Sequence, residues 1–260
     1  MKKSFTTDSP YKNDIFTVKQ YGEHTVRIAY VQTMREAGWE DLRDYKAKCS
    51  VNDEKLTNNL ARAKATVREY ALCNPWDWWC TFTINAEKCD RYNLDEFYKQ
   101  FAEFIHGYNK RQSSEHKVKY LLVPEQHSDG AWHMHGFIRG INPKDLYKNE
   151  HGYMTWKQYE KKFGFISMDK IKSLDKSSSY ILKYMTKDTD KNVTEMNRHL
   201  YYCSKGLEKA TELYRGSAEY LGNWDWEHPE GYCKIKTLDV RKDDIHDYIE
   251  VLGNDYTESF

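Results

Sequence analysis

The stretch Leu121–Gly140, LLVPEQHSDGAWHMHGFIRG, limits what this chain can become more than any other. Two runs of strand-like residues flank Ser128-Asp129-Gly130, which supplies turn chemistry, so a β-hairpin is expected with strands Leu121–His127 and Trp132–Ile138. Side chains alternate along a strand, so His133 and His135 share one face, and Val123, Glu125 and His127 share a face of the opposite strand. Directly opposed residues of an antiparallel pair point the same way. A register pairing position 125 with 133, or with 135, therefore sets a carboxylate beside two imidazoles. Two His and one Glu around a divalent ion leave coordination positions open for substrate oxygens. The competing reading is a hairpin with one solvated polar face. The His pair, the cross-strand Glu and the apolar flanks Leu121, Val123 and Phe137 occur together, which weighs toward a metal site.

The rest of the chain supplies a frame for this hairpin. Asp14–Gln20 and His24–Gln32 alternate around Tyr21-Gly22-Glu23, a second hairpin with Ile15, Val26, Ile28 and Tyr30 as buried positions. Leu56, Leu60, Ala63 and Val67 keep a helical stripe, with Ser50 or Asn52 as cap and Pro75 as stop. Trp76–Asn85 is aromatic and β-branched, a central strand. Asn93–Lys110 is a helix opened by an Asn93/Glu96 capping pattern, with Leu94, Phe97, Phe101, Phe104, Ile105 and Tyr108 on one stripe. Further on, Asn142-Pro143 opens a short helix, Thr155–Phe163 reads as a helix capped by Thr155 and Gln158, and Phe165–Ile171 as a strand. Ser177–Lys187 is a helix capped by Ser177 or Ser178, Gly216–Gly222 a loop, and Tyr232–Asp239 a last strand. Strand, helix and hairpin in this order give an α+β fold, a central antiparallel sheet with helices packed on it.

Composition excludes more than it assigns. Lys+Arg and Asp+Glu are both 40, so any surface for a polyanion must come from local segregation of charge. Such a segment runs from Lys157 to Lys191, with nine Lys against five acids and no Arg. A solvated helical face explains a run of this kind as well as phosphate tracking does. None of the six Cys forms a C-x-x-C pair, which speaks against a zinc ribbon and for free thiols. No apolar run is long enough to cross a membrane and no P-loop occurs, so a cytosolic protein without its own motor is expected.

Three segments then carry a resemblance. His133-Met134-His135 resembles the signature of the HUH endonucleases, the family of rolling-circle replication initiators of small phages and plasmids. Upstream, Thr81-Phe82-Thr83 resembles that family's first motif, an F-x-T-x-T strand, with Trp79 at the first aromatic position. Downstream, Tyr180-Ile181-Leu182-Lys183-Tyr184 resembles its Tyr-x-x-Lys-Tyr motif in the two-tyrosine form. The segments follow the family's order. Tyr201–Leu207 also looks like a stretch found in phage-type initiators.

The resemblance implies a chain divided into an N-terminal hairpin and helix extension (1–75), an endonuclease core (76–190) and a C-terminal extension packed on that core (191–260). It implies nicking and rejoining of single-stranded DNA at a replication origin in a bacterial host cytosol, with host helicase and polymerase as further partners. Glu125, His133 and His135 would hold Mg²⁺ or Mn²⁺, with His127 as a possible ligand in place of Glu125 or beside it. Tyr180 would attack the phosphate, Lys183 would favour its phenolate, and Tyr184 would carry out a second transfer. Lys176 and Lys187 would meet the DNA backbone. Relaxases and single-strand transposases share this chemistry, and a non-catalytic DNA-binding module could keep the fold without it.

Overall fold

A computed structural model describes residues 11–35, 53–187, 199–217, 226, 233–241 and 243. In chain order its elements are β1 (Tyr11–Tyr21), β2 (Thr25–Arg35), α1 (Asp53–Cys73), β3 (Trp78–Thr83), α2 (Leu94–Lys110), β4 (Lys119–Gln126) and β5 (Trp132–Arg139). There follow β6 (Leu146–Lys148), β7 (Met154–Trp156), α3 (Lys157–Lys162), β8 (Ile166–Lys170), α4 (Leu174–Lys187), β9 (Tyr202–Cys203), β10 (Thr211–Ser217) and β11 (Cys233–Asp239). Strands and helices mix as an α+β chain with antiparallel sheets.

Contacts divide the chain into Ser50–Lys209 and a second unit drawn from both ends, Met1–Cys49 with Ala210–Phe260. The N-terminal stretch 1–75 is thus split. Its hairpin joins a four-stranded sheet, β10-β1-β2-β11, whose core includes Phe16, Val18, Val26, Ile28 and Leu238. A two-stranded hairpin alone is marginal in water, and the flanking strands supply its missing partners. Helix α1 instead belongs to the larger unit, where Val67 and Ala71 are buried with residues of β4, β5 and α4. Its expected caps and the stretch after Arg35 lie outside the described residues.

The larger unit holds a seven-stranded sheet ordered β6-β7-β8-β3-β5-β4-β9. One face is sealed by α2 and α3. Phe97, Phe101, Ile105 and Tyr108 of α2 and Tyr159 of α3 pack on Cys80, Phe82, Leu122, Met134, Ile138, Ile166 and Met168. Asn93 caps α2 by accepting the Glu96 N–H at 3.1 Å, as its sequence pattern predicts. On the opposite face, α1 and α4 cover the end of the sheet that carries Leu121, Val123, Phe137 and Trp79. Gly136 sits between the strands' closest approach, where a Cβ would stand 2.0 Å from the Leu121 carbonyl oxygen.

Three local expectations need correction. Thr155 lies in β7, fully buried, and α3 begins only at Lys157 with Trp156 at its cap and no side-chain cap bond. Pairing of Tyr147 with Thr155 holds that residue extended. Helix α4 starts at Leu174, because Ser173 takes the capping position: its Oγ accepts the Lys176 N–H at 3.4 Å and its carbonyl the Ser177 N–H at 3.1 Å. Ser177 and Ser178 are therefore inside the helix, bonding back to the carbonyls of Ser173 and Asp175. Gly216 is paired with Phe16 at the end of β10 and is not in a loop.

Candidate metal centre and tyrosine pair

The β4–β5 register pairs Glu125 with His133 and Val123 with His135. Strand β3 pairs Thr83 with His133 and Thr81 with His135. Phe82, Met134 and Pro124 point to the sealed side, so Thr81, Thr83, His133, His135 and Glu125 all project from the opposite face. That face is where α4 lies.

The ligand-capable atoms that converge belong to Glu125, His127 and His135, all within 4.8 Å of one another. Glu125 Oε2 stands 2.7 Å from His135 Nε2 and 3.7 Å from His127 Nε2. His133 lies outside that trio. Its ring stacks on His127 at 3.8 Å and 7°, and its Nδ1 is 3.3 Å from Thr83 Oγ1. Sequence alone pairs His133 with His135 because they share a face. It does not show that the chain, turning at Ser128–Gly130, brings His127 back over the carboxylate. That trio could hold a metal ion.

The chemistry of these donors fits a cation. His135 Nδ1 is 3.1 Å from Thr81 Oγ1, which fixes the ring plane. Its Nε2 is buried and, despite its closeness to Glu125 Oε2, makes no aligned hydrogen bond among the described residues. When Nδ1 carries the proton toward Thr81, Nε2 keeps a lone pair, and a lone pair facing a carboxylate oxygen needs a positive charge between them. Burial pushes His135 down to about 4, more strongly than Glu125 raises it. Burial, then His127, lowers His133. Both imidazoles are thus neutral, the ligand form, at neutral pH.

Helix α4 places the two tyrosines at helical spacing above this cluster. The Tyr184 ring lies flat on His135 at 4.0 Å and 14° and is 9% exposed. Tyr180 is 45% exposed and meets Tyr184 edge to face at 5.2 Å. The Tyr184 hydroxyl donates to Tyr180 Oη at 2.8 Å. Burial, then this bond, raises Tyr184 above the ordinary phenol value. Trp79 braces both rings, at 5.4 Å from Tyr180 and 6.2 Å from Tyr184. Lys183 Nζ stands 5.9 Å from the centre of the Tyr180 ring. Tyr180, Lys183, Lys176, Ser179 and Asp175 line an open cleft of about 390 Å³. Lys187 closes α4, and its side chain lies outside those described.

The sequence motifs at β3, β5 and α4 thus meet at one place. Residues 77–189 match the family of replication-associated proteins of the ORF2 type. That match supports a role in initiating replication, with DNA as the binding partner. Among curated proteins and among solved structures, nothing matches the chain. The matched stretch contains Thr81, Thr83, the hairpin with its Glu and His residues, and both tyrosines of α4. Among the described residues, no helix is long and apolar enough to cross a membrane.

Two contributions escape the sequence. Thr81 and Thr83 hold the Nδ1 atoms of the two histidines, and Trp79 props the tyrosines. The only sequence signal for the threonines is their alternation with Phe82, which becomes a ligand-orienting pattern once the β3–β5 register is known.

Proposed function

We propose that the chain is a rolling-circle replication initiator that nicks and rejoins single-stranded DNA at an origin through a tyrosine. The observation that supports this most is an unbroken contact path: Tyr180 Oη to the Tyr184 hydroxyl, the Tyr184 ring to His135, and His135 Nε2 to Glu125. A nucleophile-bearing helix and a cation-binding cluster share one face of one sheet.

Glu125 and His135, with His127 or His133, would hold Mn²⁺ or Mg²⁺, which when bound supplies charge neutralisation at the scissile phosphate. Tyr180, the exposed member of the pair, attacks phosphorus. A Tyr180 Oη–P bond forms as the P–O3′ bond breaks, the phenol proton is given up, and the departing oxygen ends as a 3′-OH. The 5′ end stays on Tyr180 as a phosphotyrosine. Phenol is a weak nucleophile, with a reference pKa of about 10. The Tyr184 O–H aimed at Tyr180 Oη and the Lys183 ammonium near its ring both favour the phenolate. Lys176, on the cleft beside Tyr180, suits a flanking phosphate. The free 3′-OH can prime a polymerase, and its attack on the phosphotyrosine reverses the chemistry and reseals the strand.

A covalent-adduct assay tests this. Labelled single strands tiling the replicon's origin region are incubated with the protein and Mn²⁺, Mg²⁺ or chelator, then run on a denaturing gel. The expected result is a metal-dependent shifted band that Tyr180→Phe abolishes. Cleavage without any adduct would overturn the tyrosine mechanism in favour of attack by water.

A further inference from the structure

The row of residues that carries Glu125 and His133 does not end at β3. Thr83 pairs with His133, and the Thr83 N–H donates to the Phe165 carbonyl at 2.9 Å. Phe82 pairs with Ile166, and both are buried on the sealed face. Phe165, one residue before Ile166, therefore projects from the same face as Thr83, His133 and Glu125. Two strand spacings separate it from His133, roughly 10 Å.

Phe165 is 41% exposed, and Tyr153, 53% exposed, meets it edge to face at 6.4 Å and 86°. Single exposed apolar residues are ordinary. Two aromatic rings in mutual contact, in line with a phosphate-handling cluster, are not explained by packing, because neither is in a core. The platform is also rigidly set. Gly164 has φ +126, and a Cβ there would meet Asn85 N at 2.8 Å, so the chain enters β8 pressed against the end of β3. Uncharged ring faces suit a base and offer nothing to a phosphate.

We infer that Phe165 and Tyr153 form a stacking platform for an unpaired nucleobase of the same single strand whose phosphate lies at the Glu125–His135 cluster. This rests on the nicking reading above and adds a contact to it: the cluster holds the backbone, and the platform, two strands away, holds a base beside it. Stacking of this kind tolerates every base, so it anchors the strand without reading sequence.

The test uses the full chain in chelator, with anisotropy of a labelled twenty-residue thymidine strand and of an abasic strand of equal length. Phe165→Ala should weaken the thymidine strand about tenfold and leave the abasic strand unchanged, with Tyr153→Ala giving a smaller loss of the same kind. An unchanged melting temperature in both variants shows that the fold is intact. Unchanged thymidine binding by Phe165→Ala, or an equal loss on both strands, would overturn the platform. The wild-type adduct assay is run in parallel. If the adduct forms while Phe165→Ala binds like wild type, only the platform is wrong. If no adduct forms, the nicking reading fails and the platform's place in it fails too.

Discussion

The two faces of the seven-stranded sheet are made from the same strands and obey different rules. On the α2 side, Phe82, Met134, Ile138 and Ile166 meet Phe97, Phe101 and Tyr108 in a continuous aromatic layer. On the other side, one residue along each strand, apolar packing holds only at one end, where Leu121, Val123 and Phe137 meet α1 and α4. Toward the other end the row becomes Thr83, His133 and Glu125, and the cover stops. A period of two lets one strand seal one face and arm the other. The result is a division of labour. The sealed face supplies the free energy of folding, and this allows the open face to hold a buried imidazole nitrogen without a hydrogen-bond partner.

Glu125 is where the two faces should part most visibly. Glu125→Gln keeps the shape of the site and removes its charge. Adduct formation should fall about a thousandfold, which is about 4 kcal/mol of barrier. The metal-free melting temperature should hold or rise, since a carboxylate facing neutral imidazoles is relieved. Phe101→Ala on the sealed face should do the reverse. It removes a fully buried ring that touches Phe82, Tyr120 and Tyr159, at a cost of about 3–5 kcal/mol of stability. Calorimetry and the adduct assay on the two variants together would sink the division of labour if both lost stability equally.

A pH series probes the same contrast. Burial holds His135 down to about 4, against an ordinary imidazole value of about 6.5. Between those values the unfolded chain binds a proton that the folded site refuses, so metal-free stability is full above about pH 6.5 and declines as pH falls toward about 4. Melting temperature in chelator should follow that window, and His135→Gln should flatten the curve. A curve equally steep in the variant would place the titrating group elsewhere.

How much of this is legible in the sequence depends on whether the signal is local. Residue alternation in Leu121–His127 and Trp132–Ile138 predicts the hairpin and its faces, and the observed register is one of the two that alternation allows. The stripe Leu94–Tyr108 predicts α2 because its period is carried within one helix. The convergence of His127 on Glu125 stays open in the sequence, since it depends on how the chain turns after β4. The helix expected from Thr155 fails for the opposite reason: a local capping pattern yields to cross-strand pairing with Tyr147. Ser173 is hard to pick out as the cap of α4 because three consecutive serines further on offer equally good caps.

Thr81→Val tests a smaller effect on the open face. The hydroxyl at 3.1 Å from His135 Nδ1 is the ring's only described polar anchor on that side, and valine keeps its volume. Loss of such an orienting partner lowers metal affinity by about tenfold to a hundredfold. Mn²⁺ titration followed by the shift in melting temperature would read this directly, and an affinity equal to wild type would show that packing under Tyr184 already fixes the ring.

The smallest effect expected is that of Tyr184→Phe, and it decides between two roles. The motif resemblance gives Tyr184 the second strand transfer. Its surroundings favour a positioning role, since it is 9% exposed, lies flat on His135 at 4.0 Å, and donates to Tyr180 Oη at 2.8 Å. For Tyr184 to attack a phosphate its ring would have to leave His135 and break its bond to Tyr180. If Tyr184 instead positions Tyr180, removing one hydroxyl costs a hydrogen bond of about 1 kcal/mol, so nicking should slow by about fivefold to tenfold. The pH at which nicking is half-maximal should also rise, because the Tyr180 phenolate loses a donor. Rejoining, run as the reversal through Tyr180, should slow by the same factor. A variant that nicks at the wild-type rate but cannot carry out the second transfer would return Tyr184 to the role of a second nucleophile. The stacked geometry over His135 would then be only one of its two working positions.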